Sequence, residues 1–262
     1  MRQLIIEKNQ DKNGLVIIDG KDFHYLRQVL RVKAGDMVKL RLSDRELYNS
    51  TVAKIDDSAK KITLQICAET QPPVIENVTP QSTAPEYTLF QFIPKPQKLE
   101  LIVRQATECG VKNIVPVISE YAEKGSIAAL AGGKKERLER IVREARQQSG
   151  SPVDTTIFDP VTVEQAIEIW NKIKEQADGD AEGYVLSERT VERPLRQAQG
   201  PQTGPKAVCI VCGNEGGISP DELELLTKKA LLYPVHFSVN ILRCETAALY
   251  GIAAVQTAIT GF

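Results

Sequence analysis

Six consecutive residues, Ala207-Val208-Cys209-Ile210-Val211-Cys212, carry no charged or amide side chain. Successive side chains in a strand point to opposite faces. Such a run needs apolar cover on both, the condition of a strand inside a parallel sheet flanked by helices. The surrounding sequence fits. From residue 87 onward, strand patterns (Tyr87–Phe92, Asn113–Ile118, Thr155–Phe158, Gly183–Ser187, Leu231–Phe237) alternate with helical ones (Gln97–Cys109, Lys134–Gln148, Thr162–Gln176, Ser219–Lys229, Glu245–Thr260). That alternation predicts an α/β domain over 87–262.

The first 70 residues read differently. Leu4–Ile6, Leu15–Ile18, Met37–Leu42, Ser50–Ile55 and Lys61–Ile66 are short and rich in β-branched residues. Asn13-Gly14, Ala34-Gly35-Asp36 and Asp56-Asp57-Ser58 supply turns between them. A helix from about Lys21 to Leu30 interrupts, with Phe23, Leu26, Val29 and Leu30 on one face. A small β-barrel over 1–70 is expected. Residues 71–86, rich in proline, form a linker. Residues 189–206, with Pro194, Gly200, Pro201, Gly204 and Pro205, form a second long loop.

Composition excludes several classes. The chain has 262 residues, 42% hydrophobic and 26% charged, which is ordinary for a folded protein. No apolar run approaches the ~20 residues of a membrane helix, and the N-terminus has no secretory pattern. Five cysteines without such a signal read as reduced thiols in the cytoplasm. The net charge of −1 announces no polyanion partner. The charge is uneven, however: residues 1–71 hold 13 Lys/Arg against 10 Asp/Glu, and residues 151–192 hold 3 against 10. A polyanion would be tolerated or attracted by the first segment and repelled by the second.

Two segments carry candidate chemistry. Gly213-Asn214-Glu215-Gly216-Gly217 follows the buried strand directly and leads into Ser219-Pro220-Asp221-Glu222, a capping box with proline at the first helical position. Parallel sheets bind ligands at such strand ends, and glycine lets a ligand approach the backbone. The loop lacks the Lys-Ser/Thr of a phosphate loop, and carboxylates crowd the following helix start. It suits a ligand without phosphates, such as a nucleoside. The second segment, Phe237-Ser238-Val239-Asn240-Ile241-Leu242-Arg243-Cys244-Glu245-Thr246-Ala247-Ala248, again passes from strand to helix. Arg243 stands just outside that helix, either in function or in an ion pair with a carboxylate such as Glu245. Cys209-x-x-Cys212 is no metal motif, because a strand sends the two thiols to opposite faces. His24 and His236 are the only histidines, too few for an ordinary hydrolase triad. The basic helix 134–148 interleaves Arg with Glu, the pattern of a solvated face.

Taken together, these stretches resemble the ribosomal RNA small subunit methyltransferase E (RsmE) family of the SPOUT class. The resemblance rests on His24-Tyr25-Leu26-Arg27-Gln28-Val29-Leu30-Arg31-Val32 with Gly35-Asp36, and on Lys98-Leu99-Glu100 with Ala106-Thr107-Glu108-Cys109-Gly110-Val111. It extends to Glu144-Ala145-Arg146-Gln147-Gln148-Ser149-Gly150, the glycine loop, and Leu242 to Ala247. It implies a PUA-like RNA-binding barrel followed by a SPOUT α/β domain with a C-terminal trefoil knot, an exception to the rule against threaded chains. It also implies a homodimer that uses S-adenosyl-L-methionine, without metal, to methylate N3 of a uridine in 16S rRNA of the small ribosomal subunit.

By the same resemblance the cofactor residues are Leu186, Val211, Cys212, Gly213, Asn214, Glu215, Gly216, Phe237, Ile241, Leu242, Thr246 and Ala247. Arg243 stabilises charge developing on the uracil, and Glu245 orients Arg243 or assists proton removal. His24, Arg27, Arg31, Lys98 and Arg146 contact RNA. The chain departs from the family pattern at six positions. Asn214 replaces a usual Pro; Ser238, Asn240 and Cys244 replace Gly, Arg and Thr; Ser151 replaces Arg; Gln105 replaces Lys. The loss of two or three basic residues weakens the expected grip on RNA. Two alternatives therefore stay open: a related methyltransferase acting at another RNA position, and a non-catalytic RNA-binding assembly factor on the same fold.

Overall fold

The computed structural model describes residues 3–67, 84–130, 135–188 and 204–260. Residues 71–83 of the expected linker and 189–203 of the expected second loop lie outside the described residues. The chain divides into two compact units: residues 1–77 with 147–152, and residues 78–146 with 153–262.

The first unit contains β1 (Leu4–Ile5), β2 (Leu15–Ile18), α1 (Gly20–His24), β3 (Met37–Arg41), β4 (Leu47–Asp56) and β5 (Lys61–Ile66). The strands pair in the order β1-β3-β4-β5-β2, with β1 parallel to β3 and the other pairs antiparallel. Backbone pairing thus gives a five-stranded ladder with β1 and β2 at its ends, which do not pair with each other among the described residues. The register of β4 against β5 shifts between Val52 and Lys54, and such an irregularity bends a ladder. Its inner face buries Leu4, Ile18, Leu26, Leu40, Ile62 and Leu64.

The expected helix Lys21–Leu30 changes character midway. After α1, Tyr25–Val29 is a π-helical turn, and the Leu30 N–H donates to the Tyr25 carbonyl five residues back. The wider turn keeps Leu26 in the core but swings Val29 out to 63% exposure, so Val29 is not a core residue. Residues 147–152 complete this unit. The Gln3 N–H donates to the Gln147 carbonyl at 3.0 Å, and Gln3 Nε2 donates to the Ser151 carbonyl at 3.1 Å.

The second unit contains β6 (Glu86–Phe92), α2 (Pro96–Glu108), β7 (Asn113–Ile118), α3 (Lys124–Ala129), α4 (Lys135–Ser149, whose last three residues belong to the first unit), β8 (Thr156–Ile157), β9 (Val161–Thr162), α5 (Val163–Gln176), β10 (Ala181–Leu186), β11 (Ala207–Cys212), α6 (Pro220–Lys228), β12 (Tyr233–Val235) and α7 (Cys244–Thr260). Its strands are parallel, in the order β12-β10-β11-β6-β7-β8, with β9 beside β7. α3 and β9 were not read from the sequence, since neither shows apolar periodicity.

The all-apolar strand sits at the centre. Val208, Ile210 and Cys212 face the layer formed by α2, α4 and α7, while Ala207, Cys209 and Val211 face that of α5 and α6. Burial raises the thiol pKa of both Cys209 and Cys212, as expected for inert core cysteines.

Gly183 in β10 is where the second layer closes most tightly on the sheet. A Cβ there would lie 2.3 Å from Leu232 Cδ2 and 2.7 Å from Cys209 Sγ. Gly183→Ala should overpack the core at a cost of about 1–3 kcal/mol. Thermal melting should show a fall of roughly 3–10 °C.

Candidate active site

Three adjacent strands, β12, β10 and β11, end on one side of the sheet, and the residues just past them enclose a cavity of about 270 Å³. The loop after β11 is built by its asparagine. Asn214 is buried; its carbonyl accepts from the Gly217 N–H at 3.0 Å, and its Oδ1 accepts from the Gly216 N–H at 2.9 Å. Its Nδ2 donates to Ser119 Oγ at 3.1 Å. Asparagine at the first turn position and a glycine with φ of 78° at the fourth make this a side-chain-supported turn. The carboxamide thus organises a turn where the family pattern has proline. Gln91 fastens the loop from β6, donating to the Gly213 carbonyl at 3.0 Å. Sequence reading missed Gln91, because nothing in β6 links it to a loop more than a hundred positions later.

The turn is close-packed. A Cβ on Gly213 would lie 2.8 Å from the Gly217 carbonyl carbon, and one on Gly216 would lie 2.7 Å from Tyr121 Cβ. Beyond it, α6 begins with a closed capping box. Glu222 N–H donates to Ser219 Oγ at 3.3 Å, and Ser219 N–H donates to Glu222 Oε2 at 3.0 Å. The other oxygen of Glu222 accepts from the Glu120 N–H at 2.8 Å. The helix end is therefore occupied by its own side chains and is not left for an anion.

The opposite wall is the segment between β12 and α7. His236 Nδ1 lies 3.2 Å from the Ser187 carbonyl, and Phe237 meets Tyr250 edge-on at 4.9 Å. The Arg243 carbonyl accepts from the Thr246 and Ala247 N–H groups and starts α7. Its guanidinium is exposed, with no ion-pair partner among the described residues.

Of the residues expected at a cofactor, Leu186, Cys212, Gly213, Asn214, Gly216, Phe237, Ile241, Leu242 and Ala247 line the cavity. Val211 does not, because it faces the α5 and α6 layer. Neither do Glu215, whose carboxylate turns to Lys98, and Thr246, which is exposed on the first turn of α7. Asn240 lines it and Ser238 does not; Tyr121, Glu188, Ile218 and His236 are further lining residues. Each of these follows or faces a strand end, the positional signal that would have found them. Among the described residues, no Lys or Arg lines the cavity.

Glu245 does not face Arg243. Its Oε2 lies 3.4 Å from Lys98 Nζ and accepts from the Cys244 thiol at 3.4 Å. Burial works to raise the Glu245 pKa, but its own backbone N–H, the Cys244 thiol and Lys98 together hold it below the usual range. A carboxylate so held is a poor proton acceptor. Cys244 itself is pushed up to about 12, first by burial and then by its bond to Glu245.

The expected RNA contacts belong to both units. In the first unit, His24 is exposed and edge-on to Phe23. Arg27 forms a forked pair with Asp57, both bonds at 2.8 Å. Arg31 lies beyond the π turn, not on a helix with the others, with φ of 54°. In the second unit, Arg146 is buried and pairs with Asp154 at 2.5 Å, an internal role. Lys98 Nζ is held by Glu215 and Glu245. Among the described residues there is no cluster of three metal-ligating side chains, and no helix is long and apolar enough to cross a membrane.

Comparison with known proteins places this geometry. The model of the RNA methyltransferase domain family matches residues 81–256, and that of the RNA methyltransferase PUA domain matches residues 18–67. The chain is 29% identical over 238 residues to the ribosomal RNA small subunit methyltransferase E of Rickettsia conorii, covering 89% of this chain and 85% of that protein. It is 30% identical over 177 residues to the Aquifex aeolicus protein of the same name, covering 67% and 70%. Among solved structures, the fold is similar to a ribosomal RNA small subunit methyltransferase E from Neisseria gonorrhoeae bound to S-adenosyl methionine. The TM-score is 0.73 at 22% identity, covering 98% of this chain and 97% of that one.

Proposed function

The chain belongs to the ribosomal RNA small subunit methyltransferase E family, and from that membership we propose that it transfers a methyl group from S-adenosyl-L-methionine to N3 of a uridine in 16S rRNA, working in the cytoplasm as a homodimer. The observation that carries the reading is the cavity at the ends of β12, β10 and β11. Its walls fit an adenosine moiety. Leu186, Phe237, Ile241, Leu242 and Ala247 supply apolar faces, and Gly213 and Gly216 keep the backbone open to a close-lying ligand. The closed capping box at the start of α6, and a lining without Lys or Arg among the described residues, disfavour a phosphorylated nucleotide. A cationic sulfonium compound fits where a triphosphate does not.

Once bound, the cofactor supplies a methyl group already activated for transfer. The protein's own work is to hold reactants in line and stabilise charge. Uracil N3 must lose its proton to solvent water, which leaves negative charge on the ring and its carbonyl oxygens. Arg243, without an ion-pair partner among the described residues and next to the lining residue Leu242, can present a planar donor pair to that charge. Glu245 stays ionised on Lys98 and supports the start of α7. We take the C-terminal segment to carry the family's trefoil knot. The exposed Ile241, 82% accessible, and the exposed Tyr250 support an intersubunit face around the same loop.

In the first unit, Arg31 and His24 stand ready for RNA backbone contact, while Arg27 is already neutralised by Asp57. Arg31→Ala should reduce the slope of log affinity against log salt by about one, while Arg27→Ala should leave it nearly unchanged. Calorimetry with S-adenosyl-L-methionine tests the cofactor. Mapping methylated nucleotides in rRNA from cells lacking the protein tests the target: one missing N3-methyluridine in 16S rRNA is expected. A different missing mark would shift the target, and cofactor binding with no missing mark would favour an assembly factor.

A further inference from the structure

One ammonium gathers three segments that are far apart in the chain. Lys98 Nζ, near the start of α2, lies 3.4 Å from Glu215 Oε1 in the glycine loop and 3.4 Å from Glu245 Oε2 in the first turn of α7. All three side chains are at least two-thirds covered. The Lys95 N–H donates to the same Glu215 oxygen at 3.2 Å, so the loop is tied to the start of α2 by backbone as well as by side chain. None of these three side chains lines the cavity. Yet Asn214 and Gly216, on either side of Glu215, line one wall, and Leu242 and Cys244, just before Glu245, line the other.

Two carboxylates brought to one point repel unless a cation stands between them. Without the ammonium, Glu215 and Glu245 would separate and carry the walls with them. Resting on the cofactor reading above, we propose that Lys98 is a positioning residue that sets the spacing of the two cofactor-lining loops, and that it does not contact RNA phosphate. The consequence is selective. Cofactor affinity depends on the Lys98 charge, while the electrostatic component of RNA binding does not. An exposed, independent ion pair would contribute little; this one matters because it fixes the shape of a binding wall.

The test uses the full-length protein. Calorimetric titration of the parent with S-adenosyl-L-methionine comes first, and failure of the parent to bind would remove the cofactor reading itself. With the parent binding, Lys98→Met should weaken cofactor affinity about tenfold at an unchanged melting temperature, because misplacing a binding wall loses contacts on every approach. Lys98→Arg, which keeps the charge, should recover affinity to within about twofold. Glu215→Gln should also weaken binding, and the double variant Lys98→Met/Glu215→Gln should be no worse than Lys98→Met alone, since residues in one network couple. If Lys98→Met fails to fold, Glu215→Gln and Lys98→Arg decide by the same comparison. Parent-like cofactor affinity in Lys98→Met overturns the proposal. So does a salt slope for RNA binding that falls by about one, because that marks a phosphate contact.

Discussion

Replacing Arg243 by alanine is expected to lower single-turnover methylation by ~10²–10³-fold, the scale of removing one preorganised donor to developing charge. The structure separates this from a stability effect. The guanidinium is exposed and has no ion-pair partner among the described residues, so its loss breaks no internal bridge. The contribution of Arg243 to α7 comes from its carbonyl, which alanine retains. Melting temperature and cofactor affinity should therefore stay near the parent values while turnover falls, the signature of an interaction made in the transition state. Arg243→Lys should recover little, because a point charge does not reproduce a planar fork. Turnover within a few-fold of the parent in a folded Arg243→Ala protein would remove the catalytic assignment.

Gly213→Ala should have the second largest effect, on binding. The added methyl would meet the Gly217 backbone at 2.8–2.9 Å, and no side-chain rotation relieves a clash with backbone. The turn from Asn214 to Gly217 must open, although Gln91 and Ser119 hold it from the sheet side. Overpacking of this kind costs about 1–3 kcal/mol, and where it deforms a binding wall the corresponding loss of affinity is roughly 10–100-fold. Gly216→Ala would place its methyl 2.7 Å from Tyr121 Cβ, an atom fixed by the backbone that no rotamer change moves, and should weaken binding to a similar degree. Calorimetry on both variants checks the expected losses. Parent-like affinities in both would show that the turn is not the wall that grips the ligand.

What could be read from the chain alone followed local pattern. The β11 run specified its own two-sided burial, and a glycine turn at its carboxyl end marked one wall of the cavity. Local reading failed where partners are distant. Glu245 looked like the neighbour of Arg243, but its charge is satisfied by Lys98, and Glu215 bonds to Lys95 across 120 positions. Arg27 looked like a free RNA contact until folding brought Asp57, 30 positions on, against it. The π turn after α1 escaped because helical periodicity assumes a constant number of residues per turn, and one wide turn rotates Val29 out of the core.

The tie between Gln3 and residues 147–152 has a consequence for synthesis. The first unit draws its last segment from beyond residue 146, so a nascent chain of 77 residues can form the antiparallel ladder but not the hydrogen bonds from Gln3 to Gln147 and Ser151. At ~5–20 residues per second, translation of the intervening stretch takes several seconds. Through that interval the edge of the sheet around β1 must wait, its terminal donors exposed to water, for a partner the ribosome has yet to release.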